Sequence, residues 1–192
     1  NPEIKKILGL FSGDMARLFF EKIKALQQET KLQCYVSPMM FDATPGDFAE
    51  PKPAVPDMCG FTNWLPELDN KTNQAFLQFY KEEQGKDPNL FSMHGWENAL
   101  LLMQYLQVRK ETVSTESAIE KLKNEKVNSP RGTVSLNEQR HITGPAHFAE
   151  ASGILQVTVK KTITDLQTTW DEMCAQIPGE EGSSWRNTYL CI

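Results

Sequence analysis

Long hydrophobic runs are missing from this sequence of 192 residues. The longest apolar stretch is residues 99–103, and the run at residues 7–11 is broken by Gly9. A bilayer-spanning helix needs about 20 predominantly apolar residues, so no segment qualifies. Basic clusters are missing too. Lys and Arg total 20 against 25 Asp and Glu, for a net charge of −5, and they gather into no dense patch. Such a charge balance argues against a nucleic-acid partner. Cysteine is scarce: Cys34, Cys59, Cys174 and Cys191 form no C-x-x-C pair. They are too few for a disulfide scaffold, and their even number permits two bridges without implying either. Phosphate-cradling motifs are absent, since there is neither G-x-G-x-x-G nor a P-loop. Leu10-Phe11-Ser12-Gly13-Asp14 lacks the glycines that a nucleophile elbow requires around its serine. His141 and His147 flank a Gly-Pro turn at a spacing that suits no metal. No catalytic residue, metal or cofactor is therefore expected.

What is present is an ordinary globular composition, 40% apolar and 23% charged. Ile4, Ile7, Leu8 and Leu10 read as a strand buried on both faces. A helix follows with Met15, Leu18, Phe19, Ile23 and Leu26 on one stripe, and Ser12 or Asp14 can cap its first turn. Residues 32–36 and 58–64 are the next strands, which makes a βαβ unit. Between them, residues 37–57 hold five prolines, a density that excludes helix and central strand. That segment is expected to be a long loop at the carboxyl end of a strand, where α/β folds place ligands.

Helical periodicity takes over at residues 70–83, 91–107 and 114–124. The middle segment is apolar nearly all round and is expected to be buried. Residues 132–136 alternate as a strand does, a polar turn follows at 137–140, and residues 148–159 supply one or two strands around Gly153. One more helix is expected over 163–176, ahead of a polar tail. Three parallel strands, three consecutive helices and a late strand pair do not close one doubly wound sheet. The helices lack a sheet to cover, which points to part of a larger molecule.

The order of the motifs is specific. Gly9-Leu10-Phe11-Ser12-Gly13-Asp14 opens the first helix, then come Gly60-Phe61-Thr62-Asn63-Trp64 and Asn73-x-x-Phe76-x-x-x-Tyr80 with Gly85-x-x-Pro88. Gly95-Trp96-Glu97-Asn98-Ala99 follows, and Ser129-Pro130-Arg131-Gly132-Thr133-Val134-Ser135-Leu136 with His141 closes the set. Over residues 4–160 this series resembles the second half of a type I periplasmic solute-binding protein, the leucine/isoleucine/valine-binding kind that serves ABC transporters. The resemblance implies an α/β fold of two Rossmann-like lobes, a Venus flytrap, here incomplete. Residues 1–65 would belong to the carboxyl-terminal lobe, 66–145 to the amino-terminal lobe, and 146–160 would return to the first. Residues 161–192 would be an extension. The sequence opens Asn1-Pro2-Glu3-Ile4 rather than on a methionine, and is expected to continue a longer polypeptide.

The resemblance also implies partners and site residues. A small solute such as an amino acid or amide would be captured between lobes and passed to the membrane permease of an ABC importer. The receptor would be periplasmic or extracellular, either free or lipid-anchored through a segment outside these residues. Phe11 would offer its ring, and Ser12 and the Gly13 N–H a helix start suited to an anionic group; the bland alternative is a helix cap and a packed ring. Met39, Met40, Phe41 and Asp42 follow the second strand. Relatives that bind amino acids place an acid where this sequence has Met39, so either Asp42 substitutes or the methionines and Phe41 line an adaptable apolar pocket. Ordinary packing of that loop is the competing reading. Trp64 is expected to pack at the crossover between lobes. His94 is expected to be solvated, and Asn70-Lys71-Thr72 matches a glycosylation sequon. Two further functions stay open: a ligand-sensing domain of a signalling receptor, or an α/β enzyme whose active residues lie in the other half.

Overall fold

A computed structural model describes residues 4–41, 55–123, 125–138, 140–153 and 156–164. Strand β1 (Lys6–Gly9) leads into helix α1 (Gly13–Glu29), strand β2 (Gln33–Val36), the short helix α2 (Pro38–Phe41) and strand β3 (Val55–Thr62). Helices α3 (Lys71–Gln84), α4 (Leu90–Lys110) and α5 (Thr115–Lys123) come next. Strands β4 (Val127–Ser129), β5 (Gly132–Leu136), β6 (Ile142–Thr143), β7 (Ala146–Gly153) and β8 (Gln156–Ile163) complete the order.

The strands make two sheets. The larger has the order β1-β2-β3-β7-β8, with β1, β2 and β3 parallel and β7 and β8 antiparallel to their neighbours. The smaller is an antiparallel β4-β5-β6 meander. The chain leaves the larger sheet at the end of β3 and re-enters it at β7, where Thr62 and His147 are register partners. Everything from α3 to β6 is thus an excursion between two paired strands.

Local sequence explains the elements. Helix α1 buries Ala16, Phe20 and Ile23, spaced to share one stripe, against the larger sheet. Gln27 fastens it: its Nε2 donates to the Leu32 and Asp57 carbonyls, and its Oε1 accepts the Asp57 N–H. Asn70 and Asn89 cap α3 and α4 by accepting from the N–H groups of Asn73 and Ser92 at 2.8 and 2.9 Å. Gly85, at φ 67°, ends α3. Gly60 is required by close approach, since a Cβ there would sit 2.3 Å from the Val36 carbonyl oxygen across the β2–β3 pair. One core runs through Phe20, Val36, Met40, Met58, Trp64 and Phe76.

Several expectations are adjusted. The segment after β2 begins as a helical turn, α2, and β3 starts at Val55, so residues at both ends of the expected loop belong to regular elements. Its residues 42–54, Asp42 included, lie outside the described residues. Strands β4 and β6 have no counterpart in the sequence reading, because three-residue and two-residue strands are too short to show a period. The late strands form a hairpin around Gly153. Ile163 ends β8 instead of opening a helix, and the remainder of that expected helix lies outside the described residues. Helix α4 is not buried all round: Phe91, Leu102, Met103 and Leu106 are exposed along one side.

Candidate functional site

The turns that follow β1 and β2 lie side by side, because the Ser37 N–H donates to the Gly9 carbonyl at 3.0 Å. Phe11, Ser12 and Gly13 occupy the first turn. The Phe11 ring is partly exposed and stacks on Phe19 with centroids 5.0 Å apart. Ser12 holds the N-cap position of α1 with extended backbone, yet its side chain makes no capping hydrogen bond. Its hydroxyl is therefore not spent on the helix. Gly13 sits at φ 55° with open space where a Cβ would project, a backbone state that suits glycine. Asp14 is the acidic residue of the first turn.

The second turn, α2, divides its residues. Met39 is exposed, while Met40 and Phe41 are buried in the core beneath it. These two pack beneath, and Phe11, Ser12, Gly13 and Met39 are the exposed group at the carboxyl ends of the parallel strands. Cys34 and Cys59 are free, and burial, with the Cys59 charge adding, pushes the Cys34 thiol up to about 11.

A second polar concentration lies where the chain passes between the sheets. Trp64 is buried as expected, and its indole N–H donates to Asn73 Oδ1 at 2.8 Å. The Asn73 amide in turn donates to the Pro66 and Leu68 carbonyls at 3.0 and 2.9 Å. Every hydrogen-bonding atom of that buried side chain is used, which fixes the outgoing strand-to-helix connection. The turn between β4 and β5 is gripped from several elements. Glu97 on α4 accepts from Arg131 Nε at 2.7 Å, Arg131 Nη2 at 3.0 Å and Ser129 Oγ at 2.5 Å. Both partners of this ion pair are buried. The Asn70 side chain donates to the Pro130 carbonyl at 2.9 Å, and His147 on β7 contacts the Arg131 carbonyl at 3.1 Å. Asn70 thus has its amide nitrogen engaged within the fold, which argues against the sequon as a glycosylation site. His94 is half-buried rather than solvated, 3.3 Å from the Asn63 amide, and burial lowers its pKa.

Beside this junction is a cavity of about 690 Å³ walled by Thr133, His147 and Thr162 of the two sheets and by Glu67, Lys126 and Arg131 of the connections. Burial raises the pKa of Glu67. The sequence reading missed this network. Its one visible signal was Glu97, a lone carboxylate inside an apolar helix, which demands a buried partner. Among the described residues no group of His, Cys, Asp and Glu is placed to hold a metal ion. No described helix is long and apolar enough to cross a membrane.

Comparisons with known proteins agree with this architecture. A crystal structure of an ABC transporter solute-binding protein from Rhodopseudomonas palustris, in complex with 4-hydroxybenzoate, superposes with a TM-score of 0.69 at 19% identity. The match covers 87% of this chain and 47% of that one. A solute-binding protein from R. palustris BisB5, in complex with 3,4-dihydroxybenzoic acid, gives 0.66 at 14% identity, covering 83% and 45%. The closed conformation of a leucine-, isoleucine-, valine-, threonine- and alanine-binding protein from Brucella ovis gives 0.65 at 18%, covering 84% and 44%. The chain therefore spans under half the length of these solved relatives, and at such identities the likeness is one of fold. No curated protein matches the sequence. The sequence profile described as periplasmic binding protein matches residues 1–154, four-fifths of the chain. The chain belongs to the periplasmic binding protein family.

Proposed function

We propose that this chain is the second half of a two-lobed receptor that captures a small solute and presents it to the permease of an ABC importer in the periplasm. The observation that carries the reading is the double passage at Thr62 and His147, which joins two sheets through one junction, as a hinged two-lobed receptor requires. In this reading residues 1–65 and 146–160 belong to one lobe, 66–145 to the other, and 161–192 extend beyond them. The exposed apolar side of α4 supports it, since Phe91, Leu102, Met103 and Leu106 suit a helix that covers a further sheet.

The ligand would meet Phe11, Ser12, Gly13 and Met39 at the rim of the β1–β2–β3 sheet, with Met40 and Phe41 as the floor, and the reading extends to Asp42 as the next residue in sequence. An exposed ring, an uncommitted hydroxyl and a helix start together suit a small carboxylate with an apolar body. The test is calorimetry on the whole receptor against a panel of aromatic carboxylates and branched-chain amino acids. Phe11→Ala and Ser12→Ala should each weaken binding at least tenfold, about 1.4 kcal/mol, with the denaturation midpoint held. Unchanged affinity in both variants would remove this site.

A further inference from the structure

We propose that His147 is a proton-sensitive pin between the two sheets: the neutral imidazole bridges the Arg131 carbonyl and the Thr162 hydroxyl, and taking up a proton loosens the junction. The ring is buried at 3% exposure in the strand that re-enters the larger sheet. Its Nε2 lies 3.1 Å from the Arg131 carbonyl oxygen, and its Nδ1 lies 3.0 Å from Thr162 Oγ1 on β8. A carbonyl can only accept, so Nε2 carries the hydrogen. Nδ1 is then the bare nitrogen, accepting from the Thr162 hydroxyl. One side chain thereby ties the turn of the smaller sheet, itself clamped to α4 through Arg131 and Glu97, to the larger sheet.

A proton arriving at Nδ1 breaks this arrangement. Nδ1 becomes a donor, so the Thr162 hydroxyl must turn round and give up its role as donor. A positive charge also enters a buried site beside the Arg131 guanidinium. Burial lowers the His147 pKa and the Arg131 charge lowers it further, while the bond to the Arg131 carbonyl acts in the opposite direction. The other charged groups facing the cavity are Glu67 and Asp69 after β3 and Lys126 before β4. On β8, Lys160 pairs with Glu150 of β7 at 3.0 Å near the surface. Across the register on β3 stands Thr62, which carries no charge. Burial raises the Glu67 pKa, so acidification neutralises that carboxylate as well and removes a counter-charge from the cavity.

The direction follows from linkage. With the folded-state pKa below the ordinary 6.5, the loosened chain binds more protons than the intact junction below that pH. The junction is therefore at full strength above about pH 6.5 and weakens as pH falls through the window beneath it.

Hydrogen–deuterium exchange at pH 7.5 and 5.5, corrected for intrinsic exchange rates, tests this without any ligand. Its outcome is therefore independent of the receptor reading. The wild-type amides of residues 129, 131–135 and 146–149 should lose protection severalfold at pH 5.5 relative to α1. His147→Gln keeps a donor and an acceptor without titrating, and should lose no more there than in α1. His94→Gln removes the other imidazole that senses the Glu97–Arg131 pair, and the pH response should survive it, because His94 contacts Asn63 and not β7. NMR titration of the wild-type His147 imidazole decides the matter if the glutamine variant fails to fold. A midpoint below 6.5 supports the pin; a midpoint at or above 6.5, or an equal pH response in His147→Gln, overturns it.

Discussion

At the scale of single residues, Glu97 is the side chain whose removal should cost most. It neutralises Arg131 and accepts the Ser129 hydroxyl in a site closed to water. Glu97→Ala leaves the guanidinium buried without a counter-charge, and about 3–5 kcal/mol should be lost in urea denaturation. Replacing Glu97 and Arg131 together by apolar residues of similar size should cost less than either single change, which a double-mutant cycle reads directly. Asn73→Ala leaves the buried Trp64 indole N–H without its acceptor and takes one donor each from the Pro66 and Leu68 carbonyls, and should cost about 1–3 kcal/mol. Ser12 makes the opposite case. Ser12→Ala should cost under about 0.5 kcal/mol, whereas Asn89→Ala, at a cap whose side chain is engaged, should cost about 1 kcal/mol. Most of these residues were visible in the sequence as members of motifs. Their partners were not: nothing in the spacing of Glu97 and Arg131 says that two segments so far apart in the chain meet.

Among the elements, the strands and helices with a clear period were legible. The stop at Gly85 follows from local chemistry, whereas the stripe read for α1 is displaced: Ala16, Phe20 and Ile23 are buried, and Met15, Leu18 and Leu26 are exposed. Short strands β4 and β6 were not legible, since hydrogen bonding to β5 defines them and no repeating pattern does. Helix α4 shows how a correct pattern leads to an incomplete expectation. Its composition is apolar on every side, but one side packs on α5 and β4 while Phe91, Leu102, Met103 and Leu106 remain exposed. Periodicity reports that a face is suited to burial and is silent on which polypeptide buries it. Leu102→Ser with Met103→Ser should lower the binding of a hydrophobic dye to this chain while leaving its denaturation midpoint within about 0.5 kcal/mol. In the whole receptor the same pair should cost several times more, because there the face would be covered.

For the whole molecule, the fold class was legible from the order of motifs, and the candidate site only in part. Phe11, Ser12 and Gly13 gather at the turn after β1, where an α/β strand end was expected. Met40 and Phe41 turn inward while Pro38 and Met39 face out, because a helical turn follows β2 and gives its two halves to surface and core. A proline-rich stretch gives no periodic signal from which that turn could be read.

The register pairing of Thr62 with His147 has a consequence for how the chain reaches this state. Two neighbouring strands of the larger sheet are separated in sequence by three helices and a complete small sheet. Closing so long a loop is entropically costly, and the cost falls once the intervening segment has become compact and brings its own ends together. The excursion should therefore form early and act as a clasp, with β7 joining afterwards. Pulse-labelled refolding should show the amides of α3 and α4 protected ahead of those of β7 and β8. Such an assembly order makes the seam between β3 and β7 the last to close when the protein is made and the first to part when it is pulled.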